Sequence, residues 1–152
     1  TSGAYGAMFG VFLAQKLNKL PLTIVGNGKQ KRDFTHVKDV ARAFVEVAKS
    51  KHKNMIFNVG SSKATSINEI AKLMKSEKIF IPKRPAEPEI TLADSSLIKR
   101  KIGWKPKIDI KEGVNEMLKH IDDWKKAPIW TRKKIKFATK EWFKYLKNEK
   151  KN

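Results

Sequence analysis

Apolar side chains return every three or four residues through Met8, Phe9, Phe12, Leu13 and Leu17, with Gln15 among them, which predicts a buried helix. The run Leu22-Thr23-Ile24-Val25 reads as a strand. Gly26-Asn27-Gly28 after it demands a sharp turn with positive φ. Between residues 37 and 49, Val37, Val40, Ala41, Ala43, Phe44, Val47 and Ala48 fall on helical spacing, with Asp39 in the first turn facing the helix dipole. That helix is expected to pack on the strand. Residues 55–59 (MIFNV) read as a second strand ended by Gly60. Ser66-Ile67-Asn68-Glu69 is a capping box that opens a helix over residues 67–74, and residues 79–81 read as a short strand stopped by Pro82.

Arg84-Pro85-Ala86-Glu87-Pro88 predicts an ordered, extended loop, since each proline drives its predecessor out of the helical region. Asp94 is placed to cap a helix over residues 95–102, with Gly103 just past its end and Trp104-Lys105-Pro106 as the stop. A longer helix is predicted over residues 110–124. Pro128 breaks the pattern, and residues 131–146 form a last amphipathic helix with Ile135, Ala138, Thr139, Trp142, Phe143 and Leu146 on one stripe. Strand and helix alternate three times before the terminal helices. The fold class is therefore α/β, with a small sheet of two or three short strands and several helices.

The 152 residues carry a formal net charge of +19 with 34 Lys and Arg against 15 Asp and Glu, which favours phosphate-bearing partners of any kind. Only five of the cations are arginines (Arg32, Arg42, Arg84, Arg100, Arg132), whereas nucleic-acid readers favour arginine for bidentate contacts. The lysines are spread at helix-surface spacing and are densest from Lys147 to Lys151. A basic nucleic-acid-binding module is thus the rival reading. The sequence has no cysteine and no apolar run near the ~20 residues a membrane span needs, so a reducing, cytoplasmic setting is expected. The chain opens directly on Thr1-Ser2-Gly3-Ala4-Tyr5-Gly6-Ala7, without capping residues or a polar lead-in, and is expected to be a fragment whose upstream half is missing.

Arg32 lies in a polar cluster between the glycine turn and a helix start, where a guanidinium fork and a helix dipole jointly suit an anion; the competing reading is a plain Arg32–Asp33 surface pair. Arg84 sits on the proline-framed loop with Glu87, so its side chain is presented at low entropic cost, and two separated arginines suit one pyrophosphate. His36, His52 and His120 do not have the spacing of a metal box, and Ser61, Ser62, Ser95 and Ser96 lack a Gly-x-Ser-x-Gly elbow. Trp104, Trp124, Trp130 and Trp142 sit at helix ends and on stripes, and read as structural.

Six stretches then line up in order: residues 21–28 (PLTIVGNG), 30–40 (QKRDFTHVKDV), 57–61 (FNVGS), 84–87 (RPAE), Ala93-Asp94, and 102–106 (IGWKP). Together they resemble the C-terminal half of an extended short-chain dehydrogenase/reductase with a Rossmann-like fold. Within that superfamily the match is to NAD-dependent nucleotide-sugar epimerases and dehydratases such as UDP-glucose 4-epimerase and dTDP-glucose 4,6-dehydratase, with epimerase favoured and surface-polysaccharide precursor synthesis the expected setting.

The resemblance implies that residues 1–124 form a substrate-binding region and residues 125–152 a helical extension. It places backbone groups of Thr23 and Val25 on the uracil or thymine edge, Arg32 and Arg84 on the pyrophosphate, Glu87 near the ribose or the second arginine, and Tyr5 in a loop that closes over the sugar. The partner is a UDP- or dTDP-sugar, and the parent is expected to be a homodimer. NAD, held by the upstream half, would oxidise the sugar's C4 hydroxyl by taking the hydride from carbon C4. The chain has neither a Gly-x-x-Gly-x-x-Gly turn nor a Tyr-x-x-x-Lys pair, since Phe9 stands four residues after Tyr5 and Glu149 four after Tyr145. The segment alone is expected to be inactive.

Overall fold

Leu22–Val25 forms strand β1, buried at all four positions, as an apolar run covered on both sides requires. The computed structural model describes residues 7–146 of the chain. Alternation along the strand sends Leu22 and Ile24 to one face, where they meet Phe12 and Leu13 of helix α1 (Met8–Leu17), Ile67 and Ile70 of helix α3 (Ile67–Leu73), and Val114 of helix α5 (Ile110–Lys119). On the other face Val25 joins Ile81 and Ile135 in a second apolar cluster edged by Trp130. Full burial of each such side chain contributes about 1.5–3 kcal/mol, so these two faces fix where β1 must lie.

β1 pairs in parallel with β4 (Lys78–Ile81), Leu22 standing opposite Lys78 and Val25 opposite Ile81. A second pair is antiparallel: β2 (Lys31–Asp33) runs against β3 (Ala64–Ser66), with Arg32 opposite Thr65. The loop after β4 is stitched to β2, because the Lys31 N–H donates to the Glu89 carbonyl at 2.8 Å and the Thr91 N–H to the Lys31 carbonyl at 3.1 Å. The α/β class thus takes the form of two short strand pairs among the helices.

A third cluster holds α2 (Val37–Lys49) through Ala43 and Val47 against Ile98 of α4 (Ser96–Ile102) and the buried Trp104. The expected packing of α2 on β1 is therefore replaced by packing on α4 and Trp104, and Val37 and Phe44 of α2 stand about three-quarters exposed. Residues 55–59 are irregular rather than a strand: Phe57 and Val59 pack on the third cluster while Ile56 is exposed, and no described strand offers them a ladder. α4 starts one residue later than expected, with Ser95 at its cap position, and Asp94 instead accepts the Ser96 N–H at 2.9 Å. Gly103 ends it in the left-handed region at φ 79°.

The helix expected over 110–124 breaks at His120 into α5 and a 3-10 turn, Ile121–Trp124. The last helix likewise divides at Thr139 into α6 (Arg132–Ala138) and α7 (Lys140–Leu146), because the Thr139 hydroxyl donates back to the Ile135 carbonyl at 2.8 Å. Among the described residues, no helix is long and apolar enough to cross a membrane.

Candidate functional site

A cavity of about 270 Å³ opens where α1, β1, β2 and the loop after β4 meet. Its apolar wall is Met8, Val11 and Phe12 of α1 with Phe34 and Ile67, and the Phe9 and Phe34 rings meet edge to face at 5.2 Å beside it. Its polar wall is Thr23, Gln30, Arg32, Arg84 and Glu87. The two arginines, 52 positions apart in the chain, therefore line one cleft.

Each arrives there for a local reason. Arg32 sits at the centre of β2, and its Nη2 meets the Glu87 Oε1 at 3.2 Å while Nη1 donates to the Lys31 carbonyl at 2.8 Å. Arg84 and Glu87 come from the proline-framed loop, which is not extended throughout: residues 85 and 86 make a turn, with Ala86 at φ 56°. That turn sets both side chains on the same cleft. The Arg84 guanidinium carbon lies 5.4 Å from the centre of the Trp142 ring on α7.

Thr23 and Val25 line the cavity from the edge of β1 that faces away from β4, since the Leu22 and Gly26 N–H groups donate to the Glu77 and Ile81 carbonyls across the parallel pair. Two buried or half-buried amides occupy part of that edge. Gln15 accepts the Thr23 N–H through Oε1 at 3.1 Å and donates to the Thr23 hydroxyl at 2.9 Å, and Gln30 donates to the Val25 carbonyl at 2.9 Å. Tyr5 lies outside the described residues, as does the Ser2 end of its loop.

The surface-pair reading of Arg32 and Asp33 is set aside, because the two side chains leave β2 on opposite faces. Asp33 accepts the Ser61 N–H at 2.7 Å, the Ser62 N–H at 3.1 Å, the Ala93 N–H at 3.2 Å and the Ser61 hydroxyl. Burial pushes this carboxyl up, but the Ser61 hydroxyl and the three N–H groups outweigh it and hold it below the usual carboxylate range. Gly60 is required here, since a Cβ would stand 2.4 Å from the Ala93 Cβ and 2.6 Å from the Asp33 Oδ2. Asp39 does comparable work rather than serving the helix dipole alone: it accepts N–H groups of Lys107 and Ile108 at 2.9 Å and the Arg42 guanidinium at 2.7 Å. Burial raises its carboxyl and these donors lower it further, for a net downward shift.

The aligned stretches therefore divide into those that line the cleft and those that brace it. The sequence profile of the GDP-mannose 4,6 dehydratase family matches residues 11–117. The chain belongs to this family. A putative UDP-glucose 4-epimerase of Methanocaldococcus jannaschii is 36% identical over 121 residues, which are 76% of this chain and 38% of that one. Among solved structures, the UDP-glucose 4-epimerase of Thermotoga maritima with UDP-glucose is similar at a TM-score of 0.71 and 29% identity, over 78% of this chain and 41% of that one. The Bacillus cereus UDP-glucuronic acid 4-epimerase with UDP-glucuronic acid and NAD is similar at a TM-score of 0.70 and 30% identity, over 77% and 40%. The chain spans less than half the length of the relatives it matches.

In this dehydratase/epimerase family member every residue of the cavity except Met8 lies within the matched stretch, while α6 and α7 lie beyond it. Trp142 is one of four tryptophans whose positions predict a structural role, and only its place over Arg84 links it to the cleft. Gln15 was likewise read only as part of a helix pattern. A polar residue on a buried stripe was the available signal.

Proposed function

We propose that this chain supplies the base and diphosphate side of the nucleotide-sugar site in an NAD-dependent epimerase of the UDP-glucose 4-epimerase type. The observation that carries the reading is that Arg32 and Arg84 line one cleft whose opposite wall is apolar. A diphosphate brings two negative charges, and each charge-assisted arginine contact contributes about 1.5–3 kcal/mol, enough to anchor the nucleotide while the sugar is left free to turn. Glu87 holds Arg32 in place before substrate arrives and would share it afterwards. A pyrimidine would lie along the β1 edge at Thr23 and Val25, beside the apolar wall, meeting the Thr23 carbonyl and Val25 N–H, since Gln15 holds the Thr23 N–H and Gln30 the Val25 carbonyl. Tyr5 is assigned to the loop over the sugar.

NAD, when bound, would accept the hydride from carbon C4 of the sugar while the C4 hydroxyl gives its proton to a base and becomes a carbonyl; we assign the NAD site and the proton-transferring tyrosine to chain outside this segment, and homodimer contacts likewise. Supporting that assignment, Gly26-Asn27-Gly28 leads from β1 to β2 and not into the N-terminus of a helix, so it offers no dinucleotide cradle. Residues 1–124 then form the substrate-binding region, and α6 and α7 belong to an extension that follows it. The family profile's own name favours a 4,6-dehydratase as the second reading.

The test is a titration of tryptophan fluorescence in the full chain with UDP, dTDP and a random oligonucleotide at several salt concentrations. Saturable binding of UDP or dTDP is expected, weakened about 10- to 100-fold by Arg32→Ala and by Arg84→Ala. Oligonucleotide binding with a steep salt dependence, and no response to UDP or dTDP, would replace the reading with that of a nucleic-acid module.

A further inference from the structure

We propose that Trp142, on a helix beyond the family-matched stretch, is a positioning residue of this cleft, holding the Arg84 guanidinium ready for a diphosphate. The inference rests on the nucleotide reading above and deepens it. At 5.4 Å from the ring centre the guanidinium carbon is within the range of cation–π attraction. The helix before that of Trp142, α6, is tied to the same end of β1 and β4 as the cavity, and α7 follows through Thr139, whose carbonyl accepts the Phe143 N–H at 3.0 Å. Ile135 of α6 is buried with Val25 and Ile81, and the Trp130 carbonyl just before α6 accepts the Gln15 amide at 2.7 Å.

Stacking uses the flat face of a guanidinium, while its N–H donors lie in the plane and point outward. A contact made through that face uses up none of the N–H groups. An arginine already confined to one arrangement loses less side-chain freedom when the ligand binds, which strengthens binding without any new contact. Such a role falls on the second phosphate, so it distinguishes UDP from UMP, whereas a merely structural tryptophan affects both alike.

The experiment measures UDP and UMP affinity by isothermal titration in the full chain and in Trp142→Ala, Trp142→Phe, Arg84→Ala and the Arg84→Ala/Trp142→Ala double variant, with a thermal midpoint for each. Trp142→Ala is expected to weaken UDP about 3- to 30-fold and UMP much less, Trp142→Phe to recover most of the loss, and the double variant to bind UDP no more weakly than Arg84→Ala. Unchanged UDP affinity in Trp142→Ala, equal losses for UDP and UMP, or additive losses in the double variant would each overturn the inference. If Trp142→Ala melts early, Trp142→Phe and the Arg84→Ala background decide. A parent chain that binds neither UDP nor dTDP takes the nucleotide reading down with it; loss of UDP in Arg84→Ala but not in Trp142→Ala removes this inference alone.

Discussion

Gln15 shows how one polar side chain can set the geometry of an apolar region. It is 1% exposed, and its amide makes three hydrogen bonds, to the Thr23 N–H, the Thr23 hydroxyl and the Trp130 carbonyl. It thereby joins α1, β1 and the approach to α6. Gln15→Ala strands two backbone groups and leaves a gap, so a loss of about 2–4 kcal/mol is expected, read as a lower urea midpoint at unchanged slope. The one sign of it along residues 8–17 is a polar side chain on an otherwise apolar stripe, which does not reveal its partners. Arg32 and Glu87 are similar in this respect: each side chain is about four-fifths covered where the two meet across 55 positions of chain.

At the scale of elements, the turn after β1 was legible because glycine chemistry is local. Gly26 and Gly28 take φ 62° and 71°, as the motif demanded. Gly28 also lies against helix α3: a Cβ there would stand 2.6 to 2.8 Å from the Asn68 side chain, which itself donates to the Asn27 carbonyl at 2.9 Å. Gly28→Ala is expected to cost about 2–3 kcal/mol from left-handed strain and displacement of Asn68, seen as a lower thermal midpoint. The capping box at Ser66 and Glu69 is formed in full for the same local reason. β2 and β3 were not legible, since three residues give no measurable alternation and their pairing joins residues more than 30 positions apart.

At the scale of the molecule, two carboxylates, Asp39 buried and Asp33 half-buried, hold the loops around the helices. Asp33 gathers residues 61, 62 and 93 onto β2, and Asp39 gathers residues 107 and 108 onto α2. Both carboxyls are held below the ordinary value of 3.8. A depressed folded-state value means that the charged form favours folding, so this stabilisation is present in full above the unfolded value and is lost as pH falls through the lowered one. Urea midpoints are expected to drop between about pH 5 and pH 3 in the parent chain, and to start lower and fall less in Asp33→Asn and Asp39→Asn.

The sequence by itself determined what depends on neighbours along the chain: helix α1, strand β1, the glycine turn, helix α2, the capping box, the Gly103 stop, and the ordered stretches that carry the family resemblance. Those features arise from steric and capping preferences that act within a few residues. Only the tertiary structure decided that residues 55–59 would remain irregular, that α2 would lean on Trp104, and that Asp33 would turn away from Arg32. It alone set Arg32, Glu87 and Arg84 around one cleft with the Trp142 ring beside Arg84, because the hydrogen bonds, ring contact and strand pairing that place them link residues far apart in the chain and depend on how separate elements pack.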